Sequence, residues 1–349
     1  MKTKLISLLT LFIFVSVFSS CDTDVETLEI QKLKTYDEQY FENVRAYKKT
    51  DHCLSYGYYA AYAPIEGVDG YKDPASWGER IKGLPDSLDI CTLWMGIPSN
   101  DPSAKNYMPV AYDDMRYVQE KLGTRFLSHA DASNVKTFIY KGMEYDLTDG
   151  TDETLELYGQ SLIDEVLESG IDGIDLDYEP NTAYWNNSEN LVKLSAYIGK
   201  YFGPQGIYPD KLFVIDFYSH YPPSATEPYV SYFVRQAYTQ GFTEHSATRL
   251  QSYYESINWT EPKKFIVVEN FGSWYENGGS PFTEVDGNTL TTDGSRMYSL
   301  EGMARWNPTQ GKKGGFGAFY FDRDYYSKTG VPYYNMRRCI QIANPSIKK

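Results

Sequence analysis

Three carboxylates stand at every second position of one short segment. Residues 170–180 read GIDGIDLDYEP and carry Asp175, Asp177 and Glu179, separated by Leu and Tyr. Side chains of a β-strand alternate between its two faces, so the three acids share one face and the less polar residues share the other. Acids this close repel one another when ionised, and they persist mostly where shifted pKa values are useful. The pattern indicates acid–base chemistry, although acids at a strand end also bind metal ions or simply face water.

The order of the acids along the strand predicts a different task for each. Glu179 is the last of the three, and Asp175 lies about 13 Å deeper at about 3.3 Å per residue. A buried Asp175 beside Asp177 predicts a shared proton, and the charge of Asp177 predicts a raised pKa for Glu179. A Glu that keeps its proton near neutral pH can act as a general acid. Gln236 and Tyr238 share one face of another candidate strand, where an amide and a hydroxyl can hold a polar substrate group.

Short apolar runs alternate with helical patterns along most of the chain. Eight runs are candidate strands, at residues 54–59, 88–95, 125–130, 171–179, 211–219, 229–238, 264–271 and 315–322. Helical patterns occupy residues 112–122, 153–169, 189–202, 244–257 and 299–306. Eight strands alternating with helices over about 300 residues predict an α/β protein with a single (β/α)8 TIM barrel. The acids then lie at the C-terminal end of the fourth strand, where such barrels carry out their chemistry.

The N-terminus carries a pattern typical of a processing signal. Two lysines precede an apolar run over residues 5–18, and Ser19, Ser20 and Cys21 follow. The run is shorter than the about 20 residues that span a bilayer, so we interpret it as a secretory signal. A cysteine directly after small residues resembles a bacterial lipoprotein signal, in which Cys21 carries the lipid. An ordinary signal peptide with a stray cysteine is the alternative.

The chain is thus expected to have three parts. They are a lipoprotein signal peptide at 1–20, a tether with a lead-in helix at 21–49, and one catalytic domain at 50–345.

Composition limits the class of partner. The formal net charge is −14, and cleavage of the signal would remove two lysines and make the charge more negative. Because such an acidic chain binds polyanions poorly, we expect no nucleic-acid partner. Aromatic residues make up 16% of the chain and include 33 tyrosines, which suits stacking on carbohydrate, although Tyr also fills protein cores.

Cysteine and histidine give no sign of a metal site. Cys53, Cys91 and Cys339 remain besides Cys21, and three cysteines cannot pair completely. Cys53 and Cys91 lie on neighbouring candidate strands and could meet, but buried free thiols are the expected state. Neither the cysteines nor the four histidines have metal-ligand spacing, so no metal and no cofactor is expected.

Residues 172–179, DGIDLDYE, resemble the D-G-x-D-x-D-x-E signature of family 18 glycoside hydrolases. These are chitinases and endo-β-N-acetylglucosaminidases on a (β/α)8 barrel, and the resemblance extends more weakly over residues 50–345. It implies retaining hydrolysis without an enzyme nucleophile, in which the substrate's own 2-acetamido oxygen attacks the anomeric carbon.

The resemblance also implies a role for each residue of the set. Glu179 would protonate the leaving oxygen and then activate water. Asp177 would hold the acetamido N–H and stabilise the oxazolinium-like intermediate, with Asp175 supporting it from below. Tyr238 would bind the acetamido carbonyl with Gln236 beside it, as in the endoglycosidase branch of the family.

The sequence departs from the chitinases of this family in two places. They usually carry S-x-G-G on strand three, where Ser128 is followed here by His129, Ala130 and Asp131. Their usual Trp on strand eight is replaced by Phe319 or Tyr320. These departures weaken a chitinase assignment and leave the acid–base pair untouched.

Several further residues lie at or beyond the C-terminal ends of predicted strands and are candidate substrate contacts, with a plain rim or core role as the alternative. They are Trp94, His129, Asp131, Asn270, Trp274, Phe319 and Tyr320.

The function that these features imply is a lipid-anchored endo-β-N-acetylglucosaminidase. It would act as a monomer on N-linked glycans or glycoproteins and cut the β-1,4 bond of their di-N-acetylchitobiose core. Acids after Cys21 resemble the export signals of surface lipoproteins in Bacteroidota, so we expect a lipid-anchored position on the outer membrane, at the cell surface. The alternatives are a non-catalytic glycan-binding lipoprotein that kept the barrel, and a chitinase.

Overall fold

A computed structural model describes residues 36–60, 81–239 and 242–345 of the chain. The predicted signal peptide, Cys21 and the acids after it lie outside these ranges. The described residues from Gln39 onwards belong to one compact unit, which holds the barrel. None of the helices within the described ranges is long and apolar enough to cross a bilayer.

Eight parallel strands close into a barrel in which each strand pairs with its neighbours in the chain, and the last pairs with the first. The strands are β1 (Leu54–Tyr59), β2 (Ile90–Leu93), β3 (Arg125–Asp131), β4 (Gly173–Tyr178), β5 (Leu212–Phe217), β6 (Tyr232–Gln236), β7 (Phe265–Asn270) and β8 (Gly315–Phe319). The predicted (β/α)8 barrel is therefore confirmed, with all eight strands in the predicted places.

Helices occupy most of the connections. In the described residues they are α1 (Glu38–Lys48), α2 (Pro109–Tyr117), α3 (Asp152–Ser169), α4 (Ala183–Asn186), α5 (Ser188–Ile198), α6 (Ala247–Glu255), α7 (Phe271–Trp274), α8 (Ser299–Arg305) and α9 (Tyr334–Ala343). Outward-facing strand residues such as Ile174, Phe213 and Val267 are fully buried, so the strands are covered on both faces, as parallel sheets require.

Strand ends account for most differences from the predicted elements. The eighth strand was expected to reach residue 322 but ends at Phe319, because Tyr320 adopts a left-handed backbone with φ 52° and Phe321–Tyr326 forms a 3-10 helix. The expected start of the sixth strand at residue 229 belongs instead to the 3-10 helix Ser224–Tyr229. That helix is short, as its proline-rich sequence requires.

Two small sheets and the last helix, α9, were not predicted. A hairpin of Thr137–Tyr140 and Met143–Asp146 follows β3 and turns at Lys141 and Gly142, both with positive φ. This turn conformation usually has Asn-Gly or Asp-Gly, so a Lys-Gly turn is hard to predict from its residues. The second sheet pairs His245–Ser246 with Phe282–Thr283, and the first of these ranges lies where a helix was expected to begin.

Two glycines connect α3 to the strand that carries the acids. Gly170 ends α3 in the left-handed conformation, with φ 67°. Gly173 opens β4 with φ 149°, and a Cβ there would lie 2.0 Å from the carbonyl oxygen of Leu212. Only glycine lets β4 approach β5 this closely. Gly173 therefore helps to set the position at which the acids of β4 enter the barrel.

Mostly apolar side chains fill the inside of the barrel around and beneath Asp175. They are Leu54, Tyr56, Tyr58, Ile90, Leu127, Leu212, Val214, Val234, Ile266 and Val268. The cysteines in the described ranges are free thiols, so Cys53 and Cys91 do not form the disulfide left open by the sequence.

A buried ion pair joins the residues that precede β1 and β2, at the end of the barrel opposite the acids. His52 Nε2 lies 3.0 Å from Asp89 Oδ1, while Asp89 Oδ2 accepts hydrogen bonds from the Ser55 amide and hydroxyl, both at 2.8 Å. Burial lowers the pKa of His52, but the hydrogen bond and charge of Asp89 outweigh it and raise that pKa above 6.5.

This pair predicts a pH-dependent contribution to stability. A histidine with a raised pKa in the folded state stabilises fully below its unfolded pKa, and the stabilisation is lost as pH rises through the folded value. We therefore expect His52→Gln to lower the melting temperature more at about pH 5.5 than at about pH 8.5. Thermal unfolding at both pH values tests this, with the exposed His220→Gln as control. An equal loss at both pH values would contradict it.

Candidate active site

The inner face of β4 carries the acids into the mouth of the barrel. Asp175 is fully buried, whereas Asp177 and Glu179 are partly exposed. Depth in the barrel therefore follows the order of the acids in the sequence.

Asp175 is held by hydroxyl groups rather than by its neighbouring acid. Its Oδ2 accepts hydrogen bonds from Tyr56 at 2.7 Å and from Thr92 at 2.8 Å. Burial raises the pKa of Asp175, and these two hydrogen bonds oppose the rise. In the described part of the chain no hydrogen bond joins Asp175 to Asp177, so their sharing of a proton stays a prediction.

Asp216 is a further acid of this site, and sequence reasoning missed it. It lies on β5 directly beside Asp177 in the strand register and is almost completely buried. Gln236 Nε2 donates to Asp216 Oδ2 at 2.7 Å and reaches Asp177 Oδ1 at 3.5 Å. Burial, and then the charges of Asp175 and Asp177, raise the pKa of Asp216 well above its usual value. A signal existed in the sequence, because residues 212–217 read LFVIDF, with one acid on the inner face of an apolar strand.

Glu179 has the environment of a general acid. Its amide donates to the Ser133 hydroxyl at 2.6 Å, and that hydroxyl donates to the carbonyl oxygen of Asp177 at 3.0 Å. Burial and then the charge of Asp177 raise the pKa of Glu179, while a hydrogen bond from Gln236 and the charge of Arg235 lower it in part. The net rise confirms the predicted direction. A carboxyl group in this state can give a proton to a leaving group and later take one from water.

Five rings form an arc around the acids, here called the aromatic arc. Its members are Tyr218, Tyr238, Phe319, Trp94 and His129. Successive ring centroids lie 6.0 Å, 6.0 Å, 5.0 Å and 4.2 Å apart. Sequence reasoning missed Tyr218, which follows Asp216 by two residues and continues its face. Aromatic faces beside carboxyl groups suit a sugar ring, which has both C–H faces and hydroxyl groups.

Two members of the arc face the acids with polar atoms. His129 Nε2 lies 3.7 Å from Asp177 Oδ2. Burial, and then the charges of Asp216 and Asp177, raise the pKa of Tyr238 well above 10.0. Its hydroxyl therefore keeps its proton and can donate a hydrogen bond to a substrate.

The other candidates lie around the rim, and two of them are engaged with backbone. Asp131 Oδ1 accepts from the amides of Ser133 and Asn134 at 2.5 Å and 2.8 Å. Asn270 Oδ1 accepts from the Gly272 amide at 2.7 Å and caps α7.

The last two candidates are partly buried. Trp274 ends α7. Tyr320 packs against Phe319 and under the guanidinium of Arg323, 4.7 Å from its ring centroid.

The fold and the site together define a class of enzyme. A closed parallel barrel carries its chemistry at the carboxyl ends of its strands, and carboxyl groups beside an aromatic arc suit an enzyme that hydrolyses sugars. The sequence profile of glycoside hydrolase family 18, BT1044-like, matches residues 22–342. The chain belongs to glycoside hydrolase family 18 and is a glycoside hydrolase.

Individual relatives agree with this assignment. Endo-β-N-acetylglucosaminidase F2 of Elizabethkingia meningoseptica is 26% identical over 341 residues, which cover 93% of this chain and 92% of the relative. The solved structure of BT1044 is 20% identical with a TM-score of 0.66, covering 90% of this chain and 94% of the other. An endo-β-N-acetylglucosaminidase from Cordyceps militaris is 20% identical with a TM-score of 0.64, covering 89% and 98%. The two structures share the barrel fold with this chain.

Proposed function

We propose that this glycoside hydrolase is an endo-β-N-acetylglucosaminidase that cuts the β-1,4 bond of the di-N-acetylchitobiose core of N-linked glycans. The observation that carries the proposal is the position of the Gln236 amide at the barrel mouth, in contact with both Asp177 and Glu179. A Gln beside these acids is the feature by which the sequence resembles the endoglycosidase branch of the family. The similarity to endo-β-N-acetylglucosaminidase F2 supports the endo-β-N-acetylglucosaminidase activity.

The proposed mechanism uses the substrate's own acetamido group as nucleophile. Its carbonyl oxygen attacks the anomeric carbon while Glu179 gives its proton to the leaving oxygen. Asp177 accepts a hydrogen bond from the acetamido N–H and stabilises the positive charge of the oxazolinium. The Tyr238 hydroxyl donates a hydrogen bond to the attacking oxygen. Glu179, now ionised, then takes a proton from the water that opens the ring. A nucleophile already held beside the reacting carbon supports a fast first step, because no second reactant has to be positioned.

Product analysis tests the proposal. An N-glycopeptide treated with the enzyme should keep one N-acetylglucosamine, and the released glycan should carry the other, as read by mass spectrometry. The first-formed reducing end should have the β-configuration by NMR, and an α-product would exclude the mechanism. Chitin oligomers are tested in parallel. If chitin oligomers are cleaved at least as efficiently as any N-glycan, the result favours a chitinase. If glycan binds without being cleaved, the result favours the non-catalytic alternative.

We also propose that Cys21 carries a lipid that anchors the enzyme, as a monomer, to the outer membrane with its barrel at the cell surface. The support is the apolar run that ends in Ser19, Ser20 and Cys21. Wild type should incorporate radioactive palmitate and enter the detergent phase, whereas Cys21→Ala should do neither and Cys53→Ala should behave as wild type. Protease should cleave the enzyme on intact cells. Resistance on cells with cleavage in a lysate would argue against surface exposure.

A further inference from the structure

Asp216 has no role in the mechanism above, although it lies at its centre. It is 1% exposed, pairs in register with Asp177, and points into the barrel from β5. Its Oδ1 has no hydrogen-bond partner within the described ranges, and its Oδ2 has one, the Gln236 amide. Burying a carboxyl group with only one hydrogen bond costs stability, so its presence at this depth calls for a functional explanation.

The Gln236 side chain contacts three acids. Its Nε2 lies 2.7 Å from Asp216 Oδ2 and 3.5 Å from Asp177 Oδ1, and the side chain also bonds to Glu179. Of the two measured contacts, only that to Asp216 is of full hydrogen-bond length. Asp216 is therefore the anchor that fixes the rotation of the amide between the two acids that act on the substrate.

We propose that Asp216 is a positioning residue, which holds the Gln236 amide so that Asp177 and Glu179 keep the separation and orientation needed for hydrolysis. The inference rests on the proposed function. Without the anchor, the amide is free to turn fully towards either Asp177 or Glu179. Each turn would tie up an acid that the substrate needs.

Asp216→Ala removes the anchor and should lower kcat by about 10- to 100-fold, because a misplacement of about 1 Å costs up to about 10²-fold. KM should change by less than about twofold, since misplaced acids weaken binding of the transition state more than binding of the substrate. Asp216→Asn keeps an oxygen for the amide and should retain at least about a third of the wild-type kcat. The matched control is Val214→Ala, which removes inward-facing volume two residues deeper on β5. It should lower the melting temperature and leave kcat within about twofold.

The decisive readout is a double-mutant cycle on one N-glycopeptide, with Gln236→Ala and the double variant included. If Asp216 acts through Gln236, the double variant should lose no more kcat than Gln236→Ala alone. Losses that multiply would overturn the inference, as would an Asp216→Ala enzyme with wild-type kcat or an Asp216→Asn enzyme as slow as Asp216→Ala. Circular dichroism on each variant identifies loss of folding. An inactive wild type refutes the proposed function itself, whereas an active wild type with multiplying losses refutes only the role of Asp216.

Discussion

Glu179→Gln is expected to keep the folded barrel and its affinity for glycan while losing turnover by at least about 10²–10⁴-fold. The glutamine amide has the same shape as the protonated carboxyl group but gives no proton to a leaving oxygen. The backbone contact of residue 179 with Ser133 does not involve the side chain and should survive. Release of labelled glycan measures turnover, and calorimetry with the same glycan measures affinity.

Glu269→Gln is the matched control for this variant. Glu269 is also a buried glutamate whose pKa is raised by burial, but it lies on the outer face of β7 and bonds to Thr239 and Ser299. The folded Glu269→Gln enzyme should keep kcat within about threefold, because its carboxyl touches no reacting group. Near-normal turnover in Glu179→Gln would remove Glu179 from its assigned role.

Asp177→Asn is expected to lower kcat by about 10²–10³-fold, the usual effect of losing one group that stabilises transition-state charge. It should also change the pH profile in a defined direction. After burial, the charge of Asp177 is the main cause that raises the pKa of Glu179. Removing that charge lowers the pKa of Glu179, which must be protonated to act. The basic limb of the kcat profile should therefore move to lower pH.

Measurement of kcat from about pH 4 to about pH 9 checks the shift. Asp172→Asn is the control, since Asp172 precedes the same strand at its far end and accepts from Gln119 and the Phe126 amide. It removes the same charge and should leave the basic limb in place. A basic limb in Asp177→Asn that is unmoved, or that lies at higher pH, would show that Asp177 does not tune Glu179.

The barrel was predictable because its strands are apolar runs with inward and outward faces, and because helical patterns separate them. The acids of β4 were predictable because their spacing lies within one strand. Asp216 and Tyr218 were missed, since their importance depends on β5 lying beside β4 at one register, which is a long-range property. The expectation for Asp131 and Asn270 considered only position. Short polar side chains at strand ends often accept hydrogen bonds from nearby backbone amides instead of facing a substrate. In both Asp131 and Asn270, one side-chain oxygen accepts such bonds.

The choice between Phe319 and Tyr320 could not be made from the sequence. Both follow the same apolar run, and only the left-handed turn at Tyr320 leaves Phe319 as the ring that joins the arc. The hairpin after β3 was missed for a similar reason, since its strands have four residues each and its turn is Lys-Gly.

The buried acids at the barrel centre also affect how this enzyme would evolve under artificial selection. Asp175 and Asp216 each bury one oxygen that has no hydrogen-bond partner in the described ranges, and such an atom costs about 1–3 kcal/mol of stability. An apolar replacement of Asp216 would remove that cost, and the Gln236 amide would keep its contact with Asp177, so a library sorted only for expression or heat resistance should enrich it. Such a screen would select against the chemistry of the enzyme, and a thermostable variant should be sought with these two positions held fixed.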